Sequence, residues 1–558
     1  MVSQLSAGPN PPALTGNVAD LVAAAARRGP GHPALVVSAS GRSLSWAEVD
    51  AATSAEAGRL LAAGVRPGDR VLVRLGHDPL FCVAVLGALR AGATAVPVGT
   101  RSTAREVAAI VRDCAPAAVV AAVDDLALTD PAPVGLADGP AVDPGRLLGP
   151  PAAPGGGVPG GGAPERVALG GGEDIAVLGY TSGTTGVPRG VRLSHRALLA
   201  NRAQSAALRP HTVNPADRVL LQLPLFHLYG LGAGLLQVCW AGATGVLTDR
   251  VDPAEVLRGV AEQRVTVLAG VPSLYRSMLE LPDEQLHAGL ETVRLCTAGG
   301  APLPSELLLE FRRRCGLDLF EGYGLTEAGP VLTSTLVGGR AKPGSVGRPL
   351  PGAPGVAGVE LRLDDPDRDD GDPGDPGGPG DPGGAGRGRV DDDPTDLGED
   401  TDDDDGPSDA GLVSVRGPNL FSGYWPDGAG GPDADGWFRT ADVGFLDADG
   451  DLHLVDRAVD LVIVNGFNVY PREVERALDE HPGIAESAVV GVADPRTGEA
   501  VKAVLVLRDG VELTAEDVRA HCAERLARFK VPTVVEFAPT LPRSATGKIT
   551  RFVLREGR

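Results

Sequence analysis

Cysteine is scarce and scattered: six residues in 558 (Cys82, Cys114, Cys239, Cys296, Cys315 and Cys522), with no Cys-x-x-Cys pair. That pattern excludes a zinc ribbon and a disulfide scaffold, and it fits a reducing compartment. Basic charge is short as well. Lys and Arg number 51 against 73 Asp and Glu, a formal net charge of -22, which argues against a protein that binds nucleic acid through phosphate contacts. Long apolar runs are missing. The longest stretch, around Phe81 to Val98, is broken by Arg90 and several glycines and is too interrupted for a membrane span. The first twenty residues show no cationic-then-apolar pattern, so no signal peptide is expected. A cytoplasmic protein is the expectation, and a hydrophobic content of 43% suits an ordinary globular chain.

The acidic charge is unevenly spread. Residues 364–409 hold nineteen Asp or Glu against three Arg, a net of -16, leaving -6 for all other residues. This stretch repeats Gly-Asp-Pro and offers almost nothing apolar to pack, so it is expected to be a solvated, disordered insert rather than a cation or partner site. A second insert rich in Pro and Gly is expected at 149–172. Elsewhere helix-like and strand-like runs alternate. Ser45 can cap a helix through Ala63, Arg70 to Leu75 reads as a strand, Pro79 opens an apolar helix, and Thr103 to Cys114 forms the next. This alternation predicts an α/β fold, with a large N-terminal domain (1–455) of mostly parallel sheets flanked by helices. After Asp456, short strands alternate with helical runs at Pro471–His481 and Thr514–Phe529, which predicts a small α+β C-terminal domain over 456–558.

The chemistry concentrates in a few segments. The strand Asp174 to Tyr180 runs into Thr181-Ser182-Gly183-Thr184-Thr185-Gly186-Val187-Pro188-Arg189-Gly190. Small hydroxyl and Gly residues after a strand present N–H and O–H groups to phosphate oxygens without obstruction. It is not the P-loop, which needs Gly-x-x-x-x-Gly-Lys-Ser/Thr, and Gly547-Lys548 fails that pattern too. Glu327 is a hard oxygen ligand of the kind Mg²⁺ prefers. Asp442 can accept hydroxyl hydrogens or, more blandly, cap a turn. His227, on Phe226-His227-Leu228-Tyr229, is by composition alone a core histidine.

Together these segments resemble, in order, the motifs of the acyl-adenylate-forming superfamily, nearest its fatty-acyl and aryl-acid CoA ligases. The loop from Thr181 is similar to the family's phosphate-binding signature. Leu223 to Gly230 is similar to its acyl-site segment and Thr297 to Pro302 to its adenine-side turn. Glu321 to Glu327 resembles the nucleotide motif, Gly436 to Asp442 the ribose motif, and Pro542 to Lys548 the catalytic-lysine loop. The resemblance covers the chain apart from the two inserts. It implies a two-step enzyme that uses ATP and Mg²⁺ to convert a carboxylic acid, a fatty acid being the expected substrate, into acyl-AMP with release of pyrophosphate. The acyl group then passes to coenzyme A.

By the same resemblance Lys548, Thr326, Glu327 and His227 are the catalytic set, with His227 beside the carboxylate. Nucleotide contacts fall to Thr181, Ser182, Gly183, Thr184, Thr185, Gly186 and Arg189, to Gly299, Gly300, Ala301 and Pro302, and to Glu321, Gly322, Tyr323 and Gly324. Asp442 would hold the ribose, and Arg457 is a further ATP/AMP contact. Glu327 and Thr184 are the implied metal ligands, Gly466 the CoA contact and Val459 the hinge. Two positions depart from the family: Arg189 stands where Lys is usual, and Val459 where the hinge is usually polar. A stand-alone ligase loading an acyl-carrier protein is the alternative reading. A degenerate nucleotide-binding paralogue is opposed by the intact Lys548, Glu327 and Asp442.

Overall fold

The computed structural model describes residues 14–122, 170–181, 189–364, 410–457, 462–464, 467–469, 471–494, 498–526, 528–543 and 549–555. After the helix Asp20–Arg28 comes a hairpin, β1 (Pro33–Val37) and β2 (Ser43–Ser45). A five-stranded sheet follows, built from β3 (Arg70–Arg74), β4 (Thr94–Pro97), β5 (Ala118–Ala121), β6 (Ile175–Thr181) and β7 (Arg189–Ser194) in the order β5-β3-β4-β6-β7. Its strands are parallel except for the β6–β7 hairpin.

The nine-stranded sheet takes in β8 (Arg218–Leu221), β9 (Thr244–Leu247), β10 (Val267–Gly270), β11 (Leu295–Gly299), β12 (Leu319–Gly324), β13 (Val331–Ser334) and β14 (Arg348–Pro349). Its order is β14-β13-β12-β11-β10-β8-β9-β1-β2, parallel in the middle and antiparallel at both edges. The expected mostly parallel sheets are therefore present. A third, wholly antiparallel sheet completes the large domain: β15 (Glu360–Asp364), β16 (Gly411–Arg416), β17 (Trp437–Leu446) and β18 (Leu452–Arg457).

Local chemistry explains the crossovers. Ser45 and Glu48 form a reciprocal capping box that starts the helix Trp46–Ala62, and Thr103 with Glu106 does the same for Ala104–Cys114. Asp78 caps the helix Pro79–Arg90, whose proline sits where no N–H is needed. That helix is apolar all round, and all but one of its residues are buried. The main core runs continuously from Val18 through the first sheet to Phe421 and Leu452.

In the smaller domain β19 (Val462–Val464), β20 (Phe467–Val469), β21 (Ile484–Asp494) and β22 (Gly498–Leu507) order as β20-β19-β22-β21, with β23 (Val534–Phe537) parallel to β22. The helical run expected over Thr514–Phe529 is shorter, Ala515–Ala523 followed by a 3-10 turn at Arg528–Lys530. Breaking the helix lets Leu526, Phe529, Val531 and Val535 all reach one core cluster.

Three boundaries shift. The insert expected over 149–172 gives way to order by Gly170: Asn17 Nδ2 donates to the Gly170 carbonyl at 3.0 Å, and Arg196 N donates to that of Gly172 at 2.7 Å. Asp364 belongs to β15, accepting from the Ser414 hydroxyl at 2.5 Å and pairing with Arg362 at 2.7 Å. The rest of both inserts lies outside the described residues. β18 runs through Arg457, two residues past the boundary expected at 455/456, because Asp456 and Arg457 still pair with Val443 and Asp442.

Near β18, Asp447, Asp449 and Asp451 converge on Lys342 Nζ at 2.5, 2.8 and 3.2 Å. Arg348 adds a contact to Asp451 at 2.9 Å, and His453 Nε2 lies 2.7 Å from Asp447. The loop's acidic charge is met by side chains of the same protein.

Candidate active site

The phosphate-loop candidate hangs from the β6–β7 hairpin, where Thr181 pairs directly with Arg189. Ser182, Gly183, Thr184, Thr185 and Gly186 lie outside the described residues, as do Lys548, Gly466 and Val459. Gly179, two residues before Thr181, explains how three motifs meet. A Cβ there would lie 2.8 Å from Leu228 Cδ2 and 3.2 Å from Thr326 Cγ2. The bare glycine lets Leu228 and Thr326 pack directly on the strand, so the segments Leu223–Gly230 and Glu321–Glu327 meet there.

Thr326 and Glu327 open a one-turn 3-10 helix after β12. Glu327 is held at both ends by one segment. Its carbonyl accepts from Phe421 N at 2.8 Å, and its Oε1 accepts from the Tyr424 hydroxyl at 2.9 Å. A half-buried carboxylate with one oxygen so anchored suits a divalent cation beside phosphates.

Asp442 is buried, and Tyr323 Oη donates to its Oδ2 at 2.5 Å, joining residues 119 apart in sequence. Ala441, just before it, has a φ of 61°, in the left-handed region where a residue with a Cβ is strained. The pairing register of β17 slips against β16 between Arg439 and Val443, and against β18 between Val443 and Gly444. The strained residue turns the Asp442 carboxylate inward. Arg457 stands opposite Asp442 in the backbone register.

At the end of β11 the chain turns through Gly300, with a φ of 77°, and Gly300, Ala301 and Pro302 are exposed. Glu321 does not face outward with them. It is 4% exposed, and its Oε1 accepts from Leu303 N at 3.0 Å, so it braces the turn from behind. Burial pushes its carboxyl up to about 8, against the opposing effects of the Leu303 N–H and the Arg472 charge. The Glu321 side chain, expected at the nucleotide, here braces the turn. Gly322 and Gly324 line the same strand, and a Cβ on Gly324 would lie 1.9 Å from the Pro330 carbonyl oxygen.

His227 is half-buried, and its Nδ1 accepts from Tyr229 N at 3.2 Å. The next segment, Tyr229–Leu236, is a π-helix. Tyr229 ties the segment Leu223–Gly230 to the ends of β10 and β11: its hydroxyl donates to the Gly270 carbonyl at 3.3 Å, and a Cβ on Gly299 would come within 3.2 Å of it. Burial pushes this phenol up to about 12, so it stays protonated. Tyr229, Ala441 and Tyr424 are the residues sequence reasoning passed over. For Tyr424 a signal existed, the aromatic pair Tyr424-Trp425 between Gly423 and Pro426 in a chain only 4% aromatic.

The AMP-binding enzyme profile matches residues 22–381, and that of the AMP-binding enzyme C-terminal domain matches 473–548. The chain is 36% identical over 386 residues to a long-chain-fatty-acid–CoA ligase of Bacillus subtilis (strain 168), a match spanning 69% of this chain and 62% of that protein. It is 34% identical over 525 residues to a feruloyl-CoA synthase of an Amycolatopsis species, spanning 94% and 95%. ATP-bound MatB from Rhodopseudomonas palustris superposes with a TM-score of 0.79 at 31% identity, covering 97% of this chain and 98% of that one.

Proposed function

The chain belongs to the AMP-binding enzyme family, and from that membership we propose that it is an AMP-forming acid–thiol ligase. It uses ATP to convert a carboxylic acid to acyl-AMP with release of pyrophosphate, then transfers the acyl group to coenzyme A. The observation that carries this reading is the convergence of Tyr323 and Asp442 beside the turn braced by Glu321, with Glu327 three residues beyond Gly324.

The chemistry follows from charge. A carboxylate attacking the α-phosphorus of ATP brings two anions together, so positioning and neutralisation must supply most of the rate. Arg189 and Lys548 are the cations we assign to the triphosphate and the reacting oxygens. Thr326 is our α-phosphate contact. We assign the ribose hydroxyls to Asp442, its carboxylate aimed by Ala441 and steadied by Tyr323. Glu327 fits a magnesium ion, with Thr184 as its proposed second ligand. That ion would neutralise charge on the phosphate oxygens. Gly466 is our CoA contact after the small domain turns at Val459.

For the substrate we favour a fatty acid. The Bacillus relative is named for long-chain fatty acids and the Amycolatopsis relative for an aryl acid, which defines the panel to be tried. An acyl-carrier protein is the acceptor proposed second. The test is acid-dependent ATP–pyrophosphate exchange across aliphatic and aromatic acids, repeated as CoA consumption. Exchange and CoA consumption with the same acid are expected. Absence of exchange with every acid overturns the ligase reading, and exchange without CoA consumption moves the acceptor to a carrier protein. Among the described residues no helix is long and apolar enough to cross a membrane.

A further inference from the structure

Tyr424 touches two of the charges assigned to the nucleotide and has been given no part in the chemistry. Its backbone is fixed against β7: Ser422 N donates to the Arg192 carbonyl at 2.8 Å, and Trp425 N donates to that of Gly190 at 2.7 Å. Its own N–H and carbonyl close a turn with Ala429 and Gly428. The ring meets Phe421 edge-on, with centroids 5.0 Å apart. So placed, it presents a face and a hydroxyl in different directions. The Arg189 guanidinium lies over the face at 3.7 Å from the ring centroid. The hydroxyl donates to Glu327 Oε1 at 2.9 Å.

We infer that Tyr424 is a positioning residue that presets both the loop cation and the metal carboxylate before nucleotide arrives. The inference rests on reading Glu327 as the magnesium ligand. A planar guanidinium stacks on an aromatic face in a way an ammonium does not match, which gives Arg189 a reason to stand where the family usually has Lys. The hydroxyl fixes one oxygen of Glu327 and so limits the rotation of its carboxylate. Partners of metal ligands that act in this way typically contribute 10–100-fold to metal affinity. Because the Phe421 amide also holds the Glu327 carbonyl, the segment carrying Tyr424 sets that residue's backbone and side chain together.

The roles separate by calorimetry of ATP binding, in Mg²⁺ and again in EDTA, on the full chain. In the wild type Mg²⁺ should tighten ATP binding. Y424F keeps the ring, its Phe421 contact and the Arg189 stack, and loses only the hydroxyl. It should lose roughly tenfold of the magnesium-dependent gain and leave affinity in EDTA within about twofold. R189K should do the opposite, weakening ATP in EDTA while preserving the magnesium gain. In an E327Q background, Y424F should have no further effect. In pyrophosphate exchange, Y424F should raise the Mg²⁺ concentration needed for half-maximal rate.

An unchanged magnesium gain in Y424F, an equal loss in EDTA, or full additivity with E327Q would overturn the inference. So would a wild type whose ATP affinity ignores Mg²⁺. A wild type with metal-dependent ATP binding but no acid-dependent exchange would remove the ligase reading and leave the role of Tyr424 standing.

Discussion

Glu321→Gln isolates the brace behind the turn at Gly300–Leu303. Glutamine keeps a carbonyl-type oxygen for Leu303 N and removes the ionisation. In the unfolded chain this carboxyl titrates near 4.5, and burial in the fold pushes it up to about 8. Below 4.5 both states hold the proton and there is no penalty. Between the two values the unfolded state is ionised while the fold retains its proton, so stability falls as pH rises, levelling off above 8. The cost is roughly 3 kcal/mol at pH 7 and about 4–5 kcal/mol above pH 8. For a chain of this length, an unfolding entropy of ~2 cal/mol/K per residue makes each kcal/mol worth about 1 °C. Thermal melts followed by circular dichroism should therefore coincide for wild type and variant at pH 4.5. At pH 8.5 the variant should melt about 3–4 °C higher. Coincident melts at both pH values would show that the group is solvated. A variant that melts lower at pH 8.5 would show that the carboxylate is ionised in the fold and that its attraction to Arg472 outweighs burial.

Three further outcomes are expected. Lys548→Ala should slow acyl-AMP formation about a hundred- to thousandfold, because a cation at a developing charge contributes about 3–4 kcal/mol. Thioester formation from supplied acyl-AMP should be much less affected, and equal losses in both steps would refute the assignment. Val459→Asp should leave pyrophosphate exchange within about a few-fold and speed acyl-CoA release, since a β-branched residue is stiff where a hinge must turn; single-turnover kinetics on each step decide it. Replacing residues 366–408 by a short Gly/Ser bridge, with Asp364 kept in β15, should leave the melting temperature and turnover nearly unchanged, because loop closure depends only weakly on length. A large fall in either would show that this acidic stretch packs or functions.

Much of the large domain was legible because its signals are local. Ser45 with Glu48, Asp78 before Pro79, and Thr103 with Glu106 each mark a helix start within four residues, and the helices form there. The antiparallel sheet was less legible. Its strands β15 and β16 are separated by the acidic insert, and their pairing is a long-range fact that no window reveals. At the site, residue types singled out Glu327 and Asp442, yet chemistry alone did not separate an acidic side chain that meets a tyrosine hydroxyl from one that braces a backbone turn. Glu321 stands in the same motif and points to Leu303. The strain at Ala441 was invisible for a different reason, since alanine carries no hint of a left-handed backbone.

The loop Asp447–Asp451 carries a final consequence. Three carboxylates gathered this closely repel one another unless a cation sits among them. Here the positive charge is soldered to the chain as Lys342. It cannot be chelated, diluted or exchanged, so this corner of the molecule should be indifferent to EDTA. Its vulnerability is chemical instead: reagents that acylate amines would strip the charge and set the three aspartates against one another. Arg348 and His453 would still hold Asp451 and Asp447, so the loss should loosen the loop rather than release it.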